Sequence, residues 1–296
     1  MNLSGLFAPI PVPFQQDENI AVDKLVSNLH RWLAQPLDGV VLPGSNSEAP
    51  YLSDDERMAL WQACGQVFKD SRKIWIAGTG VERTPDTIRL TLKAAEYGAA
   101  ATLVVPPYYY KKDMTHDVLL AHYRALADAS PIPVMIYNIP AFTGIDFELK
   151  TLIALAEHPN IIGMKDSSSN VLKMGQLLQA RPDFIVFAGT GGALLPFLSI
   201  GAKGCISALS NVAAVPLKEI MNAFAAGDME KARRLQISIM EINFAVTGGY
   251  GVPGLKYAMD KTGFYGGPTR KPLLPINENA RQHLDRLITG LGLDRD

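Results

Sequence analysis

Residues 133–165 read PVMIYNIPAFTGIDFELKTLIALAEHPNIIGMK. An apolar run, 133–137, is followed by a segment, 147–156, with apolar residues at three- and four-residue spacing. A second apolar run, 161–165, closes the stretch. The two runs are nearly continuous in apolar residues rather than alternating. Strands buried on both faces look like this, as in parallel sheets covered by helices. A helical segment between two such strands is a βαβ unit.

The same unit recurs outward in both directions. Strand-type runs are predicted at 7–12, 39–43, 73–78, 101–105, 133–137, 161–165, 184–188 and 203–207. Helical patterns lie between them at 22–35, 53–68, 84–97, 116–129, 147–156, 170–181 and 193–200. Ser53-Asp54-Asp55-Glu56 fits a capping box, and Thr84-Pro85 puts proline in a first helical turn. Eight such units predict a (β/α)8 TIM barrel, an α/β fold. Beyond residue 207 the pattern is helical only, at 216–226, 229–246, 253–262 and 277–291. The first of these can close the eighth unit. The predicted division is therefore a catalytic barrel over 1–225 and a C-terminal helical region over 226–296, packed on it.

Composition narrows the function. The chain has 296 residues, 48% hydrophobic and 19% charged, with 28 basic and 29 acidic side chains and a formal charge of −1. No basic run could neutralise a row of phosphates, so nucleic acid is not an expected partner. No apolar run reaches the roughly 18 residues of a membrane span, and the N-terminal stretch lacks the pattern of a signal peptide. The expected location is cytoplasmic. Two distant cysteines, Cys64 and Cys205, sit in apolar segments and read as buried, reduced thiols. The five histidines lack metal-ligand spacing, and no nucleotide-binding loop is present. Neither a metal nor a cofactor is expected.

In a barrel of this kind the site lies at the C-terminal ends of the strands. The polar residues there are Ser45 and Asn46 after strand 2, Tyr108–Tyr110 after strand 4, Tyr137 on strand 5, Lys165 and Ser167 on strand 6, and Ser207 on strand 8. Lys165 follows the apolar run 161–164. An ammonium held there pays a desolvation cost, which favours the neutral amine, and that amine can attack a ketone to form an iminium. A lysine leaving the rim for solvent, paired with Asp166, is the plain alternative. Tyr137 ends the neighbouring strand, so its hydroxyl, hydrogen-bonded to Ser45, could relay protons during imine formation. Alone, Tyr137 reads equally as a core tyrosine, Tyr108–Tyr110 as interface aromatics, and Ser45 and Asn46 as turn residues.

Five pieces in order resemble the dihydrodipicolinate synthase/N-acetylneuraminate lyase superfamily along nearly the whole chain. They are Gly44-Ser-Asn-Ser-Glu48, Pro107-Tyr-Tyr109, Ile136-Tyr-Asn-Ile-Pro140 with Thr143-Gly144, Gly163-Met-Lys-Asp-Ser167 and Gly204-Cys-Ile-Ser207. The resemblance implies a class I aldolase or lyase with pyruvate bound as a Schiff base on Lys165. Tyr137 would be the proton shuttle, Ser45 its relay, and Tyr109 a contribution across a dimer interface. The pyruvate carboxylate would sit on backbone N–H groups around Ser45 and Asn46, with Ser167, Ile206, Phe142 and Gly189 completing the substrate pocket. The family usually forms homotetramers built as dimers of dimers.

Three positions depart from the family. Phe142 replaces an arginine that grips the aldehyde's carboxylate in the lysine-pathway synthases. Gly189-Thr-Gly-Gly192 replaces the Asp-Glu pair of sialic acid lyases. Ser47 replaces a glycine, and if that position needs positive φ the serine is strained or the loop is reshaped. The tail motifs Ala245-Val-Thr, Gly251-Val-Pro-Gly-Leu-Lys256 and Gly263-Phe-Tyr-Gly-Gly-Pro268, with the block 158–167, resemble the 4-hydroxy-2-oxoglutarate aldolase branch. The tail reads as ancestry rather than substrate. The expected reaction is therefore cleavage of a 4-hydroxy-2-oxo acid to pyruvate and an aldehyde such as glyoxylate. Dihydrodipicolinate synthase, a 2-keto-3-deoxy sugar acid aldolase or dehydratase, and a non-catalytic barrel that binds 2-oxo acids are the alternatives.

Overall fold

The computed structural model describes residues 3–294. Eight parallel strands close in sequence order into a barrel: β1 (Gly5–Pro9), β2 (Gly39–Leu42), β3 (Ile74–Gly78), β4 (Ala101–Val104), β5 (Val134–Asn138), β6 (Ile161–Asp166), β7 (Ile185–Ala188) and β8 (Gly204–Ile206). β8 returns to pair with β1, so no sheet edge is left open. The helices between strands are α1 (Val22–Ala34), α2 (Asp54–Phe68), α3 (Thr84–Glu96), α4 (His116–Ala129), a short α5 (Pro140–Thr143), α6 (Leu149–Leu155), α7 (Val171–Ala180) and α8 (Leu194–Ser199). The predicted TIM barrel is the observed fold.

The continuous apolar strands serve two separate cores. Phe7, Val41, Ile76, Leu103, Met135, Tyr137, Phe187 and Ile206 point into the barrel and pack on one another. Their neighbours, such as Leu6, Val40, Leu42, Val104, Ile136 and Met164, face the helices. A strand with a core on each face cannot alternate apolar with polar, which is why period-2 alternation is absent. Each aliphatic side chain so buried contributes about 1.5–3 kcal/mol.

Helix signals behave as local chemistry dictates. Ser53 Oγ accepts from the N–H of Glu56 at 3.2 Å, and Glu56 accepts from the N–H of Ser53 at 2.9 Å, completing the capping box. α5 is absent from the sequence reading. It starts on Pro140 and stops at Gly144, whose φ of 67° provides a left-handed C-cap.

Past β8 the chain forms α9 (Ala214–Ala225), α10 (Met229–Ser238), α11 (Met240–Phe244), α12 (Gly251–Lys261) and α13 (Glu278–Gly290). The single helix expected over 229–246 is a correction. It breaks at Ile239, and α11 runs into a π-turn over Ala245–Gly249. Within that turn Thr247 bonds back to the Asn243 carbonyl at 2.6 Å. No helix among the described residues is long and apolar enough to cross a membrane.

Candidate active site

Strands β5 and β6 pair with Tyr137 opposite Lys165 and Asn138 opposite Asp166. Partners in register share a face, so Tyr137 and Lys165 point into the barrel while Asn138 and Asp166 face outward. Lys165 is 5% exposed, and its Nζ lies 4.1 Å from the centre of the Tyr137 ring. It neither leaves for solvent nor pairs with Asp166. Asp166 is fully buried and accepts from Asn138 Nδ2 at 2.7 Å and Ser168 Oγ at 2.8 Å. Asn138 also donates to Asp146 at 2.8 Å, and Lys173 is the cation that neutralises Asp146. The end of β6 is thus fixed from outside, with the lysine free on the inside.

The turn after β2 brings Ser45 to the same place. Ser45 Oγ is 3.5 Å from the Tyr137 hydroxyl, the outer limit of a hydrogen bond. Asn46 Nδ2 donates to the Pro9 carbonyl at 3.0 Å, so its side chain is committed to β1. Among the described residues, no protein acceptor takes the backbone N–H of Ser45 or of Asn46.

The condition for strain at Ser47, a positive φ, is not met. The left-handed residue is its neighbour Glu48, with φ 57° and ψ 38°. Ser47 is fully buried in ordinary geometry; it donates to the Ile10 carbonyl and accepts from the N–H of Gly44 at 2.9 Å. The hydroxyl does bonding work that a glycine could not.

A cavity of about 490 Å³ opens above the barrel, with Ser45, Tyr137, Tyr108, Phe142, Arg57 and Glu82 in its wall. Lys165 lies behind Tyr137 rather than on the wall itself. Phe142, on α5, is 70% exposed at the cavity. Ser167 holds its place through its N–H, which donates to the Asn138 carbonyl at 2.8 Å. Gly189 packs against this strand end so closely that a Cβ there would meet Ser167 Oγ at 2.1 Å. Ile206 is wholly buried, its side chain packed inside the barrel. Tyr109 is 76% exposed and turns away from the cavity wall, edge-on to Tyr110 at 5.0 Å.

Two wall residues were missed in the sequence. Glu82 accepts from the N–H groups of Tyr108 and Tyr109 at 3.1 Å each, fixing the tyrosine loop. Arg57 is 5% exposed, donates to the Ala49 carbonyl, and burial lowers its pKa. An arginine in a helix and a glutamate in a loop carry no local signal of burial. Both cysteines are buried, and burial pushes the Cys205 thiol up to about 12.

A profile of the dihydrodipicolinate synthetase family matches residues 2–291. A 4-hydroxy-tetrahydrodipicolinate synthase of Listeria innocua is 35% identical over 297 residues, covering 98% of this chain and 99% of the relative. The crystal structure of a dihydrodipicolinate synthase from Bacillus anthracis superposes with a TM-score of 0.93 at 31% identity, covering 98% of both chains. A chloride-inhibited dihydrodipicolinate synthase from Acinetobacter baumannii, complexed with pyruvate, gives 0.93 at 29% identity, covering 99% of this chain and all of the other. These relatives carry the synthase name, not that of the 4-hydroxy-2-oxoglutarate aldolase branch.

Proposed function

The chain belongs to the dihydrodipicolinate synthetase family, a family of Schiff-base carbon–carbon lyases and synthases, and we propose that it joins pyruvate, held on Lys165, to a small aldehyde. The observation that carries this reading is the buried Lys165 amine on the Tyr137 ring, with Ser45 beside the tyrosine hydroxyl. The Lys165 amine attacks the pyruvate carbonyl carbon to give a carbinolamine. Tyr137 protonates the departing hydroxyl, water leaves, and an iminium forms. The iminium acidifies the methyl group, the Tyr137 phenolate takes the methyl proton, and the resulting enamine carbon attacks the aldehyde, whose oxygen then takes that proton back from Tyr137. Hydrolysis of the iminium releases the product and restores the lysine.

Ser45 passes protons to and from Tyr137. The uncommitted N–H groups of Ser45 and Asn46 receive the pyruvate carboxylate. Ser167, the backbone of Ile206 and the space left by Gly189 bound the pyruvate end, while Phe142 bounds the aldehyde end. Tyr109, exposed in the single chain, completes the proton relay of a partner subunit in a homotetramer built from dimers.

The relatives' names favour the synthase direction. One observation favours a second reading, aldol cleavage of a 4-hydroxy-2-oxo acid. Phe142 lines the cavity at the position where the family resemblance implies a carboxylate-gripping arginine in the lysine-pathway synthases, and a phenyl ring cannot replace a bidentate charge clamp. Borohydride trapping with pyruvate, read by mass spectrometry, tests the shared half: the adduct belongs on Lys165. A panel of aldehydes, with aspartate semialdehyde and glyoxylate among them, separates the two directions.

A further inference from the structure

Glu48 and Lys256 form a buried ion pair between the turn that carries Ser45 and helix α12. Both side chains are 2% exposed or less, with Lys256 Nζ 2.7 Å from Glu48 Oε1. The other carboxylate oxygen accepts from the N–H of Arg270 at 2.8 Å. Lys256 also donates to the Pro268 carbonyl at 2.8 Å and lies 4.4 Å from the centre of the Phe14 ring. The Arg270 guanidinium sits 4.3 Å from the same ring. It bonds in turn to Glu56 and to the carbonyls of Glu18 and Tyr51.

We propose that the Glu48–Lys256 pair, braced by Arg270, is the positioning device of the 44–48 turn, so that the C-terminal helices set how tightly the site holds the carboxylate of its 2-oxo acid. The inference rests on the pyruvate reading above. Three ties hold this turn. Asn46 and Ser47 fix it to the end of β1 through the carbonyls of Pro9 and Ile10. The third, through Glu48, comes from the far end of the chain. Glu48 closes the turn with its own N–H on the Ser45 carbonyl, at 3.2 Å. Its left-handed backbone persists only where the surroundings over-determine it, and its side chain supplies that.

Replacing a buried ion pair by apolar groups of similar volume often leaves stability unchanged, so stability alone does not account for this pair. The arrangement joins two tail motifs in space. Lys256 ends the first and Pro268 the second, and they meet in one hydrogen bond. A Cβ on Gly266 would lie 2.0 Å from the Lys256 carbonyl oxygen, so the second motif must approach the first bare. Burial pushes the Lys256 ammonium down to about 8, opposed by Glu48 and Asp260 and reinforced by Arg270, the charged groups that face it. Deprotonation above that pH removes the partner of Glu48 and loosens the turn.

The test reads the pyruvate concentration that gives half-maximal borohydride-trapped adduct on Lys165. The E48Q/K256M double variant leaves no lone buried charge. Its half-saturation is expected to rise about tenfold, with an unchanged adduct plateau and circular dichroism spectrum. In the unmodified protein half-saturation should rise above pH 8, and in the double variant that rise should vanish. A folded double variant with wild-type half-saturation overturns the inference, as does a lowered plateau alone. Should the variant not fold, a flat profile from pH 7 to 9 in the unmodified protein overturns it equally. No adduct in the unmodified protein overturns the pyruvate reading and this inference with it; an adduct with unchanged half-saturation overturns this inference alone.

Discussion

Lys165 Nζ lies 4.1 Å from the centre of the Tyr137 ring, and the hydroxyl of that ring lies 3.5 Å from Ser45 Oγ. One side chain therefore packs on the amine and offers it a proton path. Tyr137→Phe keeps the packing and removes the path. The rate of imine formation with pyruvate should fall about 100-fold, while the final yield of trapped adduct is retained. A quenched time course of borohydride trapping measures both. A rate equal to wild type would reject Tyr137 as the proton carrier.

Phe142 is exposed at the cavity, so an arginine can stand there without paying for burial. Phe142→Arg should lower KM for aspartate semialdehyde about tenfold, the worth of one charge-assisted hydrogen-bond pair. Uncharged aldehydes should be unaffected, since they offer the guanidinium nothing to bind. Steady-state kinetics over both classes of aldehyde decides. Equal effects on the two would show that position 142 does not face the aldehyde's carboxylate.

What was legible in the sequence is what burial writes locally. Strands sandwiched between two cores read as continuous apolar runs, so all eight were visible, and with them the strand ends bearing Tyr137 and Lys165. The 229–246 segment reads as one helix in sequence because its apolar spacing carries across the break at Ile239 and into the π-turn. The sequence leaves the backbone at Ser47 open because a residue-for-residue family pattern does not say which neighbour takes the left-handed conformation; here Glu48 does. Glu82, Arg57 and the Glu48–Lys256 pair were invisible for a different reason. Their burial arises from contacts between segments remote in sequence, and no local spacing encodes such contacts.

Acid should weaken the fold through His122. This histidine is 4% exposed, bonded through Nδ1 to Thr84 Oγ1 at 2.9 Å, and burial pushes its pKa down to about 4. The unfolded chain takes up a proton near 6.5, the folded chain only near 4. The stability this group supplies is therefore complete above pH 6.5 and is lost as pH falls from there through 4. Between pH 7 and pH 5 the loss should be about 2 kcal/mol. Urea unfolding at the two pH values measures it, and His122→Gln should show a correspondingly smaller difference. Equal losses in both proteins would place the acid sensitivity elsewhere.

The exposure of Tyr109 makes its proposed role in a neighbouring site testable by mixing. Tyr109→Phe and Lys165→Met should each be impaired as pure proteins. If Tyr109 serves the neighbour, a hybrid dimer of the two has one complete site: the Tyr109→Phe subunit keeps its own Lys165 and receives a native Tyr109 from its partner. Random re-pairing makes half of the dimers hybrids with one good site in two, so roughly a quarter of wild-type activity should return. If Tyr109 instead serves its own subunit, neither site of the hybrid is complete and mixing restores nothing. Activity after co-refolding, measured against each variant refolded alone, separates the two, and native mass spectrometry of the same samples confirms that hybrids formed.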